Sequence, residues 1–193
     1  IDLPGHGDSK GTSSNAIESY SKFLIECLES YDFNKLSLCG HSMGGLIALE
    51  MAMQKNFSVQ SIILVNSIYP TRVAEPLLAK AKASNGGAAD FIIKYGLYKR
   101  LLGIKNAFSD EDDLVMLDDL EACNSYQLDL NVIKDLEIPI SIILGSKDKL
   151  VDLKAVESFA NTVPCKTHAV EEAGHFLFFE QPNELSKLIA QLA

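Results

Sequence analysis

Apolar positions along this chain follow two alternating rhythms. Short, mostly apolar runs at 36–39, 61–65, 139–144 and 167–170 read as strands. Between them the spacing changes to three and four. Ile17, Tyr20, Phe23, Leu24, Cys27, Leu28 and Tyr31 form one helical face over 16–31. Residues 44–55 are apolar on most sides, which predicts a buried helix. Residues 152–162 and 182–192 are also helical in pattern, and Pro182 suits a first helical position. Residues 2–15, rich in Gly, Ser, Asp and Asn, read as loop.

Strands that alternate with helices predict an α/β fold, with a mostly parallel sheet covered by helices on both faces. One interval breaks the rhythm. Residues 68–132 carry helical patterns over 73–83, 88–102 and about 110–123, with Asn85-Gly86-Gly87 turning between the first two. A plain crossover needs only about a dozen residues. The interval is therefore read as an inserted helical cap, with residues 1–67 and 133–193 as the core.

Composition narrows the classes of function. The 193 residues are 47% hydrophobic and 22% charged, as in a soluble domain with a small inserted unit. A net charge of -9 argues against nucleic acid as a partner. No apolar run is long enough to span a bilayer. Cys27, Cys39, Cys123 and Cys165 are scattered, without C-x-x-C or metal-ligand spacing. They read as reduced structural thiols of a cytoplasmic protein, with Cys39 as a small core residue and no metal expected.

The chemistry concentrates at Gly40-His41-Ser42-Met43-Gly44-Gly45, directly after a strand and before a helix. That context puts Ser42 on a sharp strand-to-helix turn as a nucleophile, with small residues two positions either side allowing close approach. The Met43 N–H, at a helix N-terminus, faces a developing negative charge. A serine needs a base, and the base an orienting acid. His41 is adjacent on a tight turn, where side chains diverge. His6 is in the first loop, and His168 reads as a structural residue in mid-strand. His175 follows the last strand, at the end where a parallel sheet presents its site. Asp148 follows the third strand across Gly145. Its rival Asp152 reads as a helix cap, and the tip of the second strand holds Asn66 and Ser67 with no carboxylate. Ser42, Asp148, His175 is nucleophile–acid–base order.

With Asp2-Leu3-Pro4-Gly5-His6-Gly7-Asp8-Ser9 and the Gly145-x-x-Asp148 and Gly174-His175 loops, the chain resembles α/β-hydrolase-fold enzymes from end to end. It is most similar to small capped esterases, lactonases, haloperoxidase-like enzymes and carbon–carbon hydrolases. The resemblance implies hydrolysis of a small-molecule ester, thioester or lactone through an acyl-enzyme on Ser42. His175 would be the base, Asp148 its partner and Met43 an oxyanion-hole donor, without a cofactor. Carbon–carbon cleavage, lyase or perhydrolase chemistry uses the same residues. An inactive fragment or a hydrolase-like binding protein is the alternative from another class. In the resembling enzymes the segment like residues 2–9 follows the fourth strand, and an earlier loop supplies a second oxyanion N–H. The strand at Leu36 is thus expected to be a sheet edge, covered by preceding chain or a second copy.

The acidic run Asp110, Glu111, Asp112, Asp113, Asp118, Asp119 and Glu121 lacks the Gly at position six of a calcium loop. With the Leu114, Leu117 and Leu120 stripe it reads as a solvated helix. Arg72, Lys80, Lys82, Lys94, Lys99, Arg100 and Lys105 read as mixed surface. Phe176, Phe178 and Phe179 read as core or pocket wall.

Overall fold

Among the described residues, four strands form one parallel sheet in chain order. The computed structural model describes residues 1–33, 35–105 and 113–193. After a looped start come α1 (Ile17–Leu28), β1 (Leu36–His41), α2 (Met43–Gln54) and β2 (Val59–Val65). Then follow α3 (Glu75–Lys82), α4 (Gly87–Gly96), α5 (Asp113–Ser125), α6 (Leu130–Asp135) and β3 (Ile140–Gly145). The chain continues through α7 (Leu153–Thr162), β4 (Cys165–Val170), α8 (Leu177–Glu180) and α9 (Pro182–Leu192). The register sets Leu38 beside Ile62, Ile62 beside Ile140 and Ile140 beside Cys165. All four strands therefore end on the same side of the sheet.

The period-two alternation of strand side chains divides the core into two layers. Ile62, Leu64, Ile140 and Ile142 pack with α1, α2 and α7 on one face. Ile63, Val65, Ile143 and Val170 pack with α8 and α9 on the other. The central strands β2 and β3 are thus near-continuous apolar runs. Helix α2 is buried over most of its length because it lies under the first layer.

Cys39 departs from its expected core position and is exposed. Strand β1 is a sheet edge, paired only with β2 among the described residues. Its Leu38 faces the first layer, so Cys39 faces the other, where α8 and α9 pack on β2, β3 and β4.

Helices α3, α4 and α5 pack around a small separate cluster of Leu77, Ala81, Ala88 and Met116. Helix α4 ends at Gly96 instead of continuing to 102. Leu97 turns to an extended conformation, and a Cβ on Gly96 would stand 2.7 Å from the Phe176 ring. The short helices α6 and α8, of 6 and 4 residues, are too brief to carry a readable period.

The acidic face of α5 is not simply solvated. Asp119 accepts hydrogen bonds from the Tyr20 hydroxyl at 2.7 Å and His6 Nε2 at 2.8 Å, and Asp118 accepts one from the Ser13 hydroxyl. Burial holds the Asp119 carboxyl above the usual carboxylate range. These bonds tie the 2–9 loop and α1 to α5. Asp110, Glu111 and Asp112 lie outside the described residues.

Candidate active site

Each candidate side chain leaves the sheet at a strand's C-terminal tip, because parallel strands bring those tips together. Ser42 follows β1, Asn66 follows β2, Asp148 lies just beyond β3 and His175 just beyond β4.

Ser42 sits at φ 50° and ψ -119°, a backbone region that side chains rarely adopt. Its N–H donates to the Val65 carbonyl at 3.0 Å, and its own carbonyl accepts from the Gly45 N–H at 3.0 Å. The glycines around it divide the packing differently from the symmetric expectation. A Cβ on Gly40 would overlap the Gly44 carbonyl, and one on Gly45 would overlap the Ser67 hydroxyl. Gly44 has open space. Gly40 and Gly45 are thus the pair that lets β1, α2 and the β2 tip close up. Met43 opens α2, so its N–H belongs to the first turn, whose donors have no intrahelical acceptor.

His175 and Asp148 are brought together. His175 Nδ1 donates to Asp148 Oδ2 at 2.9 Å, with side chains only 8% and 4% exposed. Asp148 Oδ1 accepts from the N–H groups of Leu150, at 2.7 Å, and Val151, at 3.2 Å. Both carboxylate oxygens are engaged, which fixes the group's orientation. A carboxylate only accepts, so the bond places the imidazole proton on Nδ1 and leaves Nε2 as the acceptor. Asp152, the rival acid, caps α7 by accepting from the Lys154 N–H at 2.9 Å.

His41 is close to this pair but differently employed. Its Nε2 donates to the His175 carbonyl at 2.8 Å, and the two rings lie 4.8 Å apart. Burial, reinforced by the charge of His175, pushes its pKa down to about 4. His6 sits away from the pair, in its bond to Asp119. His168 lies on β4 with a buried Nε2.

Two residues outside the sequence candidates hold the loops. Asn66, 1% exposed, donates its amide to the carbonyls of Gly174 at 3.1 Å and His175 at 2.7 Å, and accepts from the Gly145 N–H at 2.8 Å. It joins the β2 tip to the loops bearing Asp148 and His175. Glu180 accepts from the N–H groups of Gly174 at 2.7 Å, Tyr98 at 2.7 Å and Lys99 at 3.1 Å. The only sequence signal for Asn66 was its place at a strand tip.

Ser42 and His175 line one cavity of about 210 Å³. Ile68, Leu77, Phe91, Ile92 and Phe176 supply apolar wall, so helices α3 and α4 and the segment before them contribute to the cavity lining. Phe178 and Phe179, expected in core or wall, are 40% and 43% exposed. Arg72, expected on a mixed surface, also lines this cavity. Among the described residues, no group of three or more His, Cys, Asp or Glu side chains is arranged to hold a metal ion. No helix among them is long and apolar enough to cross a membrane.

Known proteins are similar to this chain in sequence and fold. Over 200 residues the chain is 24% identical to 3-oxoadipate enol-lactonase 1 of Acinetobacter baylyi, spanning 98% of this chain and 75% of that protein. A thermophilic esterase superposes with a TM-score of 0.86 at 24% identity, over 99% of this chain and 78% of that one. The enol-lactonase of Burkholderia xenovorans LB400 superposes with a TM-score of 0.82 at 18% identity, over the same shares. The sequence profile of the Alpha/beta hydrolase family matches residues 1–188. The chain therefore belongs to the Alpha/beta hydrolase family, as a hydrolase of that fold.

Proposed function

We propose that this chain hydrolyses a small carboxylic ester, thioester or lactone through an acyl-enzyme on Ser42. The observation that carries the reading is that His175, paired with buried Asp148, lines one cavity with a serine on a strained strand-to-helix turn. His175 Nε2 takes the Ser42 proton as Oγ attacks the carbonyl carbon. Asp148 holds the ring so that the imidazolium is stabilised as it forms. The Met43 N–H, at the positive end of α2, donates to the oxyanion. His175 then returns the proton to the leaving alcohol or thiol, and water repeats the sequence to release the acid.

The relatives named as esterases and enol-lactonases support an ester or lactone substrate. The described residues between 68 and 132 act as a cap over the cavity in this reading. The test is turnover of a short 4-nitrophenyl ester by the wild type and by Ser42→Ala, with fluorophosphonate labelling of Ser42. Turnover and labelling that both vanish in the variant support the reading. A folded wild type that neither turns over esters or lactones nor labels would overturn it.

A further inference from the structure

Several polar groups on the cavity wall bond within the protein, although the buried Ser67 hydroxyl has no partner among the described residues. Asn66 braces two loops, and His41 bonds the His175 carbonyl. The Thr71 hydroxyl donates to the Ile68 carbonyl, and the Asp152 carboxylate caps α7. Arg72 is different. It is the one cationic side chain lining the cavity among the described residues, and none of them pairs with it in an ion pair. On the same segment Lys82 pairs with Glu121 at 3.8 Å, Lys99 with Glu172 at 3.1 Å and Lys105 with Asp90 at 2.7 Å, while Lys80, Lys94 and Arg100 have no ion pair among the described residues and do not line the cavity.

Arg72 is exposed as well as cavity-lining, so it stands where the cavity meets solvent. A guanidinium is permanently charged and presents its donors as a planar fork that matches a carboxylate. The chain as a whole carries -9, so an anion has few other favourable approaches. Ile68, Leu77, Phe91, Ile92 and Phe176 line the same cavity as Arg72 and Ser42, which suits a short hydrocarbon linker.

We infer that the substrate carries a free carboxylate, separated from its reacting carbonyl by a short apolar linker, and that Arg72 binds this carboxylate. This rests on the serine-hydrolase reading. Arg72 is a specificity residue: it touches the substrate at the end remote from the bond that breaks.

The test compares pairs of esters that differ in one charge. One pair is mono-4-nitrophenyl glutarate against 4-nitrophenyl pentanoate, with the charge on the acyl side. The other is acetoxyacetate against ethyl acetate, with the charge on the alcohol side. In at least one pair, the kcat/KM ratio of charged to neutral ester should fall about fivefold or more in Arg72→Gln. Arg72→Lys should keep part of the preference. Added salt should shrink the wild-type ratio towards that of Arg72→Gln. Ratios that are the same in wild type and Arg72→Gln, in both pairs, would overturn the inference. Binding of monomethyl against dimethyl glutarate to Ser42→Ala, by calorimetry, gives a readout independent of turnover. A preference for the monoester that vanishes in Ser42→Ala/Arg72→Gln supports the subsite even if the hydrolase reading fails. Neutral-ester turnover without any Arg72-dependent preference, in turnover or in binding, sinks the subsite and leaves the hydrolase reading standing.

Discussion

The side-chain amide of Asn66 donates to the main-chain carbonyl of His175 at 2.7 Å. The residue that would carry the proton is thus held through its backbone by the tip of β2, as well as through its ring by Asp148. Asn66 also bonds Gly174 and Gly145, and it adopts a positive φ of 43°, which Asn tolerates better than most residues. Asn66→Ala removes two donors and an acceptor from a buried site. It should destabilise the protein by roughly 2–4 kcal/mol in urea unfolding. The loosened loop should lower kcat by roughly 10²-fold, with a smaller change in KM. Asn66→Asp keeps the acceptor for the Gly145 N–H but turns a carboxylate towards two carbonyl oxygens, so its kcat should not recover.

Asp148→Asn tests the ring's tautomer. The Asn carbonyl can still accept from the N–H groups of Leu150 and Val151, so the loop keeps its shape. The amide then faces His175 Nδ1 as a donor. That moves the ring proton to Nε2 and removes the proposed base. Ester turnover should fall by roughly 10³- to 10⁴-fold in kcat. The circular dichroism spectrum should be unchanged, and the Nδ1 proton signal of the wild type should be lost in NMR.

A buried charge on α2 gives a prediction about stability. Glu50 accepts from the Tyr126 hydroxyl at 2.8 Å and from Gln54 at 2.7 Å. Tyr126→Phe leaves one oxygen of this buried carboxylate without its donor, at a cost of about 1–3 kcal/mol. The melting temperature should fall by several degrees. An unchanged melt would show that the hydroxyl does not stabilise Glu50.

What was readable in the sequence, and what was not, follows from the range of each interaction. The tips of β1, β3 and β4 were legible from short apolar runs, so the placement of Ser42, Asp148 and His175 after them was too. The second role of a strand tip was not: Asn66 works on loops 79 to 109 positions away. The burial of Glu50 in an apolar helix was not legible, because its donor is 76 positions on. Cys39 was misplaced because alternation shows which face a residue takes, while its exposure depends on whether another layer covers that face. Arg72 could not be told from its neighbouring cations until the cavity located it.

His41 ties stability to pH. Its folded-state pKa is lowered to about 4, from an unfolded value of about 6.5. Between those values the unfolded chain binds a proton that the folded chain does not. Stability therefore rises with pH across the window, and is lost as pH falls from about 6.5 towards 4. The full shift corresponds to about 3 kcal/mol; with the ring partly exposed, about 1–2 kcal/mol is the expected share. In His41→Gln the side-chain amide can still donate to the His175 carbonyl, but nothing at that position titrates. Unfolding in urea at a series of pH values below 7 should then show a flatter loss of stability in the variant than in the wild type. Parallel curves would mean that His41 is not the group being protonated, and would move the origin of acid sensitivity elsewhere in the fold.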